Sequence, residues 1–304
     1  MRYTKSFFLI SMFYFLQGCS LNTKSVNKNN DPGEYLQKIK IYSIPNTFNF
    51  AGEKIPLELP DVREKFDREL HINSYLHSST ILLLKRSQRW LPEISKILLE
   101  NGIPLDFKYL PVIESSLENV ISSKKAVGFW QLLATTAREN GLIVNKEIDE
   151  RYDPIKSTYA AIRYLKKAHK KFNSWIHAAA SYNRGIKGYE KAIVSQKIDN
   201  YFNLYLNKET SRYVFRLLAI KEIFENPDKY GFILKKEDYY YSENLIPYKV
   251  TKTIPNLANW ALEHNSNYKD LKRYNPWLRK NILTIKIGKT YNILLPNRND
   301  KYEF

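Results

Sequence analysis

Residues 109–116 run Tyr109-Leu110-Pro111-Val112-Ile113-Glu114-Ser115-Ser116, one carboxylate behind a nearly unbroken apolar run. An ionised carboxylate is costly to bury without a partner, so a group in this setting tends to have a raised pKa and to stay protonated. A protonated carboxylic acid at neutral pH is what general acid catalysis on a glycosidic oxygen requires. Taken alone, the stretch favours a blander reading, a Glu at the exposed end of a helix.

The pattern on either side is helical. Upstream, Leu82, Leu83, Leu91, Ile94, Ile97 and Leu98 recur at helical spacing, and Asn101-Gly102 marks a stop. Pro104 opens the next expected helix, with Leu105, Tyr109, Val112 and Ile113 as its apolar positions. Downstream, Asp153-Pro154 supplies an N-cap and a first helical residue, ahead of a stripe of Ala160, Ala161, Tyr164, Leu165 and Ala168. Asn173-Ser174 caps a helix over Trp175 to Tyr182, whose Ala178-Ala179-Ala180 run lets a neighbour approach closely, with Gly185 just past its end. Residues 209–224 read as one more helix. Residues 61–235 are therefore expected to form an all-α body with short loops.

Three further motifs share this segment: Gly128-Phe129-Trp130-Gln131-Leu132, Ala180-Ser181-Tyr182-Asn183-Arg184-Gly185 and Glu209-Thr210-Ser211-Arg212-Tyr213-Val214. With Glu114-Ser115, in this order and spacing, they resemble the catalytic domain of lytic transglycosylases of the goose-type lysozyme-like superfamily. Within it they are most similar to the membrane-bound lytic murein transglycosylase D group, which Arg151-Tyr152-Asp153-Pro154 also fits. The resemblance covers roughly residues 80–235. It differs in the loop before Gly128, where that family usually has Gly in place of Lys125.

The resemblance implies a mainly α, lysozyme-like catalytic domain that cleaves the bond between N-acetylmuramic acid and N-acetylglucosamine in peptidoglycan. It implies Glu114 as the single acid/base and a 1,6-anhydro product formed by the muramoyl 6-hydroxyl. Tyr213 would orient Glu114. Gln131, Asn183 and Ser122 would hydrogen-bond the sugar, and Trp130 and Tyr182 would offer it apolar faces. Two alternatives stay open: a hydrolase of the same fold, with Glu118 or Asp149 as second carboxylate, and an inactive wall-binding lipoprotein.

Past Phe232 the texture changes. Lys235 to Glu243 is charged and reads as a linker, with no core shared across it. Residues 245–304 then give strand, helix, helix and strand, a small α+β module. Val250, Ile254, Leu257-Ala258, Tyr274-Asn275-Pro276 and Ile287-Gly288-Lys289 are similar to the βααβ LysM pattern, without its usual Gly-Asp before the first helix. The resemblance implies a peptidoglycan-binding or docking module.

At the other end, Arg2 and Lys5 precede a short apolar run, Phe7 to Leu16, too brief to span a bilayer. It leads into Leu16-Gln17-Gly18-Cys19, which resembles a bacterial lipobox; Cys19 is the only cysteine. Residues 1–18 are expected to be a lipoprotein signal peptide, Cys19 the lipidation site, and residues 19–60 a tether. This address implies export across the inner membrane and a lipid anchor facing the periplasm, in the outer membrane. The net charge of +17 would draw any polyanion. The address argues against nucleic acid and favours wall polymer or lipid. The five histidines show no metal-ligand spacing, so no metal or other cofactor is expected, and the chain is expected to act as a monomer.

Overall fold

The computed structural model describes residues 39–297, of which residues 42–297 form one compact unit. Cys19 and the signal segment lie outside the described residues. The tether reading of residues 19–60 needs correction from residue 42 onward. Ile44, Phe50, Ile55 and Leu57 are buried in the main core, and two short antiparallel strands, β1 (Asn49–Phe50) and β2 (Glu53–Lys54), fold this segment back on itself. Isolated apolar residues among polar ones carry no period, yet each still finds a core site.

Helix α1 (Pro60–Tyr75) begins on a proline and runs into α2 (His77–Glu100), which buries Leu83, Leu84, Leu91, Ile94, Ile97 and Leu98 and leaves Leu82 facing solvent. The helix expected from Pro104 is broken in two. A 3-10 turn (Leu105–Tyr109) precedes α3 (Leu110–Ser115), because the Leu110 N–H goes to the Phe107 carbonyl and Pro111 has no N–H to give. After a loop over residues 116–133 come α4 (Ala134–Glu139), α5 (Pro154–Phe172), α6 (Trp175–Arg184), α7 (Ile186–Gln196) and α8 (Lys208–Glu225). The expected caps are present. Asp153 Oδ1 accepts from the Ile155 and Lys156 N–H groups at 3.0 Å, and Ser174 Oγ accepts from His177 N. Each such cap stabilises its helix by about 1 kcal/mol.

Helix α8 is the central strut, packed on α1 and α6. Its register against α1 is fixed by a fork: Arg212 Nε and Nη2 donate to the two oxygens of buried Glu69, at 2.6 and 3.0 Å. A bidentate guanidinium–carboxylate pair holds direction as well as distance. The residue after Arg212 is Tyr213, so the fork also sets where that phenol points.

The C-terminal module has the expected order: β3 (Leu245–Val250), α9 (Leu257–Glu263), α10 (Tyr268–Tyr274) and β4 (Tyr291–Pro296), with β3 antiparallel to β4 from Leu245 opposite Pro296 to Val250 opposite Tyr291. Buried Asn275 ties α10 to β4, accepting from Leu294 N and donating to Leu294 O. Two expectations about its isolation fail. The module's core cluster includes Ile148, from the loop ahead of α5. The 235–243 segment is also stapled over residues 240–243, to the helical body and to the module. Tyr240 N donates to Lys85 O and Arg89 to Tyr241 O on α2, while Glu243 receives Arg273 and Tyr274 of α10. Charge along a segment describes its solvent face and does not prevent its backbone from docking.

Candidate active site

Glu114 sits on the last turn of α3, half-buried, where the apolar run Leu110–Ile113 has gone into the core. Ser115 pins that turn from behind, its hydroxyl within hydrogen-bond reach of Pro111 O (3.0 Å) and Phe129 O (2.9 Å), which joins α3 to the Gly128–Gln131 turn. Arg216 of α8 donates to Ile113 O at 2.6 Å and so satisfies a carbonyl at the helix end.

The Tyr213 hydroxyl donates to Glu114 Oε1. Burial raises the Glu114 pKa above the usual carboxylate range and is the dominant influence; the Tyr213 hydrogen bond and Arg216 pull it down, and the Glu209 charge pushes it up. Tyr182 also lies within the field of Glu114, and its own hydroxyl donates to Trp130 O at 2.8 Å. The Tyr182 ring meets Tyr164 edge-on at 5.1 Å. Asn183, one residue on, is held at both ends of its amide. Its Nδ2 donates to Glu209 Oε1 at 3.0 Å, and its Oδ1 accepts from Thr210 Oγ1 at 2.9 Å.

The loop between α3 and α4 forms one wall of this cluster. Gly128 has φ +81°, and a Cβ there would stand 1.9 Å from the Arg151 carbonyl oxygen, so the position accepts only glycine. Gln131 adopts φ +45° and turns its Nε2 onto Gly128 O (2.7 Å) and Val120 O (3.1 Å). Ser122 closes a tight hairpin, its Oγ accepting from Ala126 N at 3.0 Å. Lys125 lies at φ +62°, a left-handed position, which accounts for glycine at this place in the resembled family. Lys124 reaches over to Glu209 at 3.4 Å.

The structure thus brings Glu114, Tyr213, Tyr182 and, through Glu209, Asn183 into one cluster. Ser122 and Gln131 join it only through the loop they shape. Trp130 must be withdrawn as a sugar-facing platform. It is fully buried, with its indole N–H on Thr158 Oγ1 at 2.8 Å. Glu118 and Asp149 are committed elsewhere, to Arg86 and to Arg151. The carboxylate that Glu114 does feel is Glu209, a residue that sequence reasoning passes over although it opens the Glu209–Val214 motif.

Comparison with known proteins gives two domain matches and a set of relatives. Residues 99–204 match the transglycosylase SLT domain, and residues 247–299 match the soluble lytic transglycosylase C-terminal LysM-like domain. Membrane-bound lytic murein transglycosylase D from two strains of Escherichia coli is 30% identical over 198 residues, which is 62% of this chain and 43% of the relative. The chain therefore spans less than half the length of these curated relatives. It carries a transglycosylase SLT domain followed by a C-terminal LysM-like domain, and it is homologous to membrane-bound lytic murein transglycosylase D.

Proposed function

We propose that this chain cleaves the β-1,4 bond between N-acetylmuramic acid and N-acetylglucosamine in peptidoglycan and closes the muramoyl residue into a 1,6-anhydro sugar. The observation that carries the reading is Glu114: a carboxyl group oriented through one oxygen by Tyr213, with its pKa raised by burial. Glu114 gives its proton to the bridging oxygen as the bond from C1 breaks. The muramoyl 6-hydroxyl then attacks C1 and returns its proton to Glu114, so the acid is regenerated and no water is consumed. The attacking group is already part of the sugar at C1, and proximity replaces the second carboxylate that ordinary glycosidases use. The Tyr213 hydrogen bond and Arg216 favour the ionised form, which supports the second half of the cycle. Asn183, fixed by Glu209 and Thr210, offers a pre-set amide for sugar hydroxyl or acetamido groups, and Tyr182, Gln131 and Ser122 complete the proposed contacts. Cys19 anchors the body to the outer membrane facing the periplasm, a reading supported by the lipobox-like Leu16–Cys19 and by a relative named membrane-bound.

A hydrolytic reading has one observation in its favour. The Glu209 pKa is lowered, first by its hydrogen bond from Asn183, so an ionised carboxylate stands in the field of Glu114 and could activate water. Mass analysis of products from purified peptidoglycan separates the readings. Anhydro ends are expected; reducing muramic ends sink the transglycosylase reading in favour of hydrolysis, and no product at all leaves wall binding alone. Glu114→Gln should lower product formation by roughly a hundred- to ten-thousand-fold with folding intact, and release near the parent rate would remove Glu114 from its role.

A further inference from the structure

A continuous line of contacts runs from the C-terminal module to the loop that walls the proposed cleft. At the module end, Glu147 receives Thr284 twice, from its N at 2.9 Å and its Oγ1 at 3.2 Å, and its carbonyl accepts from Arg279 N at 2.7 Å. Ile148, 3% exposed, is a plug in the module's core, bridged backbone to backbone with Leu278. Asp149 N donates to Trp277 O at 2.9 Å. At the cleft end, buried Asp149 grips buried Arg151 through both carboxylate oxygens, at 2.9 and 2.7 Å. The remaining guanidinium nitrogen, Nη1, donates to Lys125 O at 3.3 Å and Leu132 O at 3.2 Å, on the two sides of the Gly128–Gln131 turn. The Arg151 carbonyl is the atom against which Gly128 packs, and Asn119 Nδ2 donates to Tyr152 O at 2.9 Å.

Arg151 therefore clamps the cleft loop, and the segment carrying Arg151 is itself held by the module. A free loop of alternating charge would have no reason to be rigid; an edge bonded at three successive residues to a folded core does. We infer that the C-terminal module is a buttress of the cleft loop: through Glu147, Ile148 and the Asp149–Arg151 pair it positions the Gly128–Gln131 turn, and it sets turnover on substrates that the module itself never holds. Its activity arm rests on the transglycosylase reading above. The residues named are positioning residues and touch no substrate.

The test uses the full chain with Glu147→Ala and Ile148→Ser combined, and Ile148→Val alone as the conservative variant. Two measurements are made: steady-state kinetics on short soluble glycan fragments, and amide hydrogen exchange without substrate. The double variant should raise exchange in residues 277–285 and also in residues 125–132, and should lower kcat by roughly tenfold with little change in KM. Ile148→Val should leave both at parent values. Exchange that rises in 277–285 while 125–132 and kcat stay at parent values overturns the inference. So does a double variant whose module stays fully protected, since the named contacts would then not hold it. Exchange needs no turnover, so a parent protein that cleaves nothing would count against the activity reading and leave the coupling to be judged on exchange alone.

Discussion

Replacing Gly128 with alanine tests how the cleft loop is held. The added Cβ would stand 1.9 Å from the Arg151 carbonyl oxygen and 2.9 Å from its carbon. A relaxed carbon–oxygen contact is about 3.3 Å, so one backbone must retreat by more than roughly 1 Å. Arg151 cannot retreat cheaply, because its side chain is locked to Asp149 and to two loop carbonyls. Two costs add: about 1–2 kcal/mol for an alanine at φ +81°, and about 1–3 kcal/mol for the overpacking. The expected loss is about 2–5 kcal/mol, or roughly 4–20 °C in Tm at about 2–4 °C per kcal/mol. Gly102→Ala is the internal control. Gly102 also has positive φ, +67°, but nothing lies within 4 Å of the Cβ that alanine would add, so it should suffer the conformational cost alone, about 1–2 kcal/mol. Thermal unfolding of both variants, followed by activity at a temperature where both are folded, gives the answer. A Gly128→Ala protein no less stable than Gly102→Ala would refute the close approach to Arg151 and the loop geometry built on it.

Three further expectations concern the cluster and the address. Tyr213→Phe removes the hydrogen bond that orients Glu114 and favours its ionised form, and should lower kcat about tenfold or more while moving KM little; an unchanged kcat takes Tyr213 out of the site. The pH profile of kcat/KM should move in opposite directions in two variants. Tyr213 lowers the Glu114 pKa, so Tyr213→Phe should shift the loss of the Glu114 proton to higher pH; Glu209 raises it, so Glu209→Gln should shift that limb to lower pH. Shifts of the same sign in both would contradict the assigned electrostatics. Cys19→Ala should abolish incorporation of a labelled fatty acid, and equal labelling of both proteins counts against the lipid anchor.

Glu114, Tyr213 and Asn183 are singled out in the sequence because each falls in a motif that resembles the family's, and the caps at Asp153 and Ser174 follow from side-chain chemistry alone. Trp130 misleads because an aromatic residue within a motif looks the same whether its ring faces a cleft or the core; only Thr158, 28 positions on, shows where the indole goes. Glu209 escapes notice because an acidic residue in a helix's first turn is commonplace, and its pairing with Asn183 spans 26 positions. Residues 42–57 and Ile148 share another difficulty. Each is a lone apolar side chain among polar neighbours, and its burial depends on a surface supplied by distant sequence.

The folding of residues 42–57 into the helical body alters the length of the leash. Had the free segment run from Cys19 to residue 60, its contour could have approached 150 Å at about 3.5 Å per residue. With the body beginning at Tyr42, the span from the proposed anchor contains 23 steps (42 − 19), and its ceiling is about 80 Å. That ceiling bounds how far the start of the folded body stands from the proposed membrane anchor at Cys19.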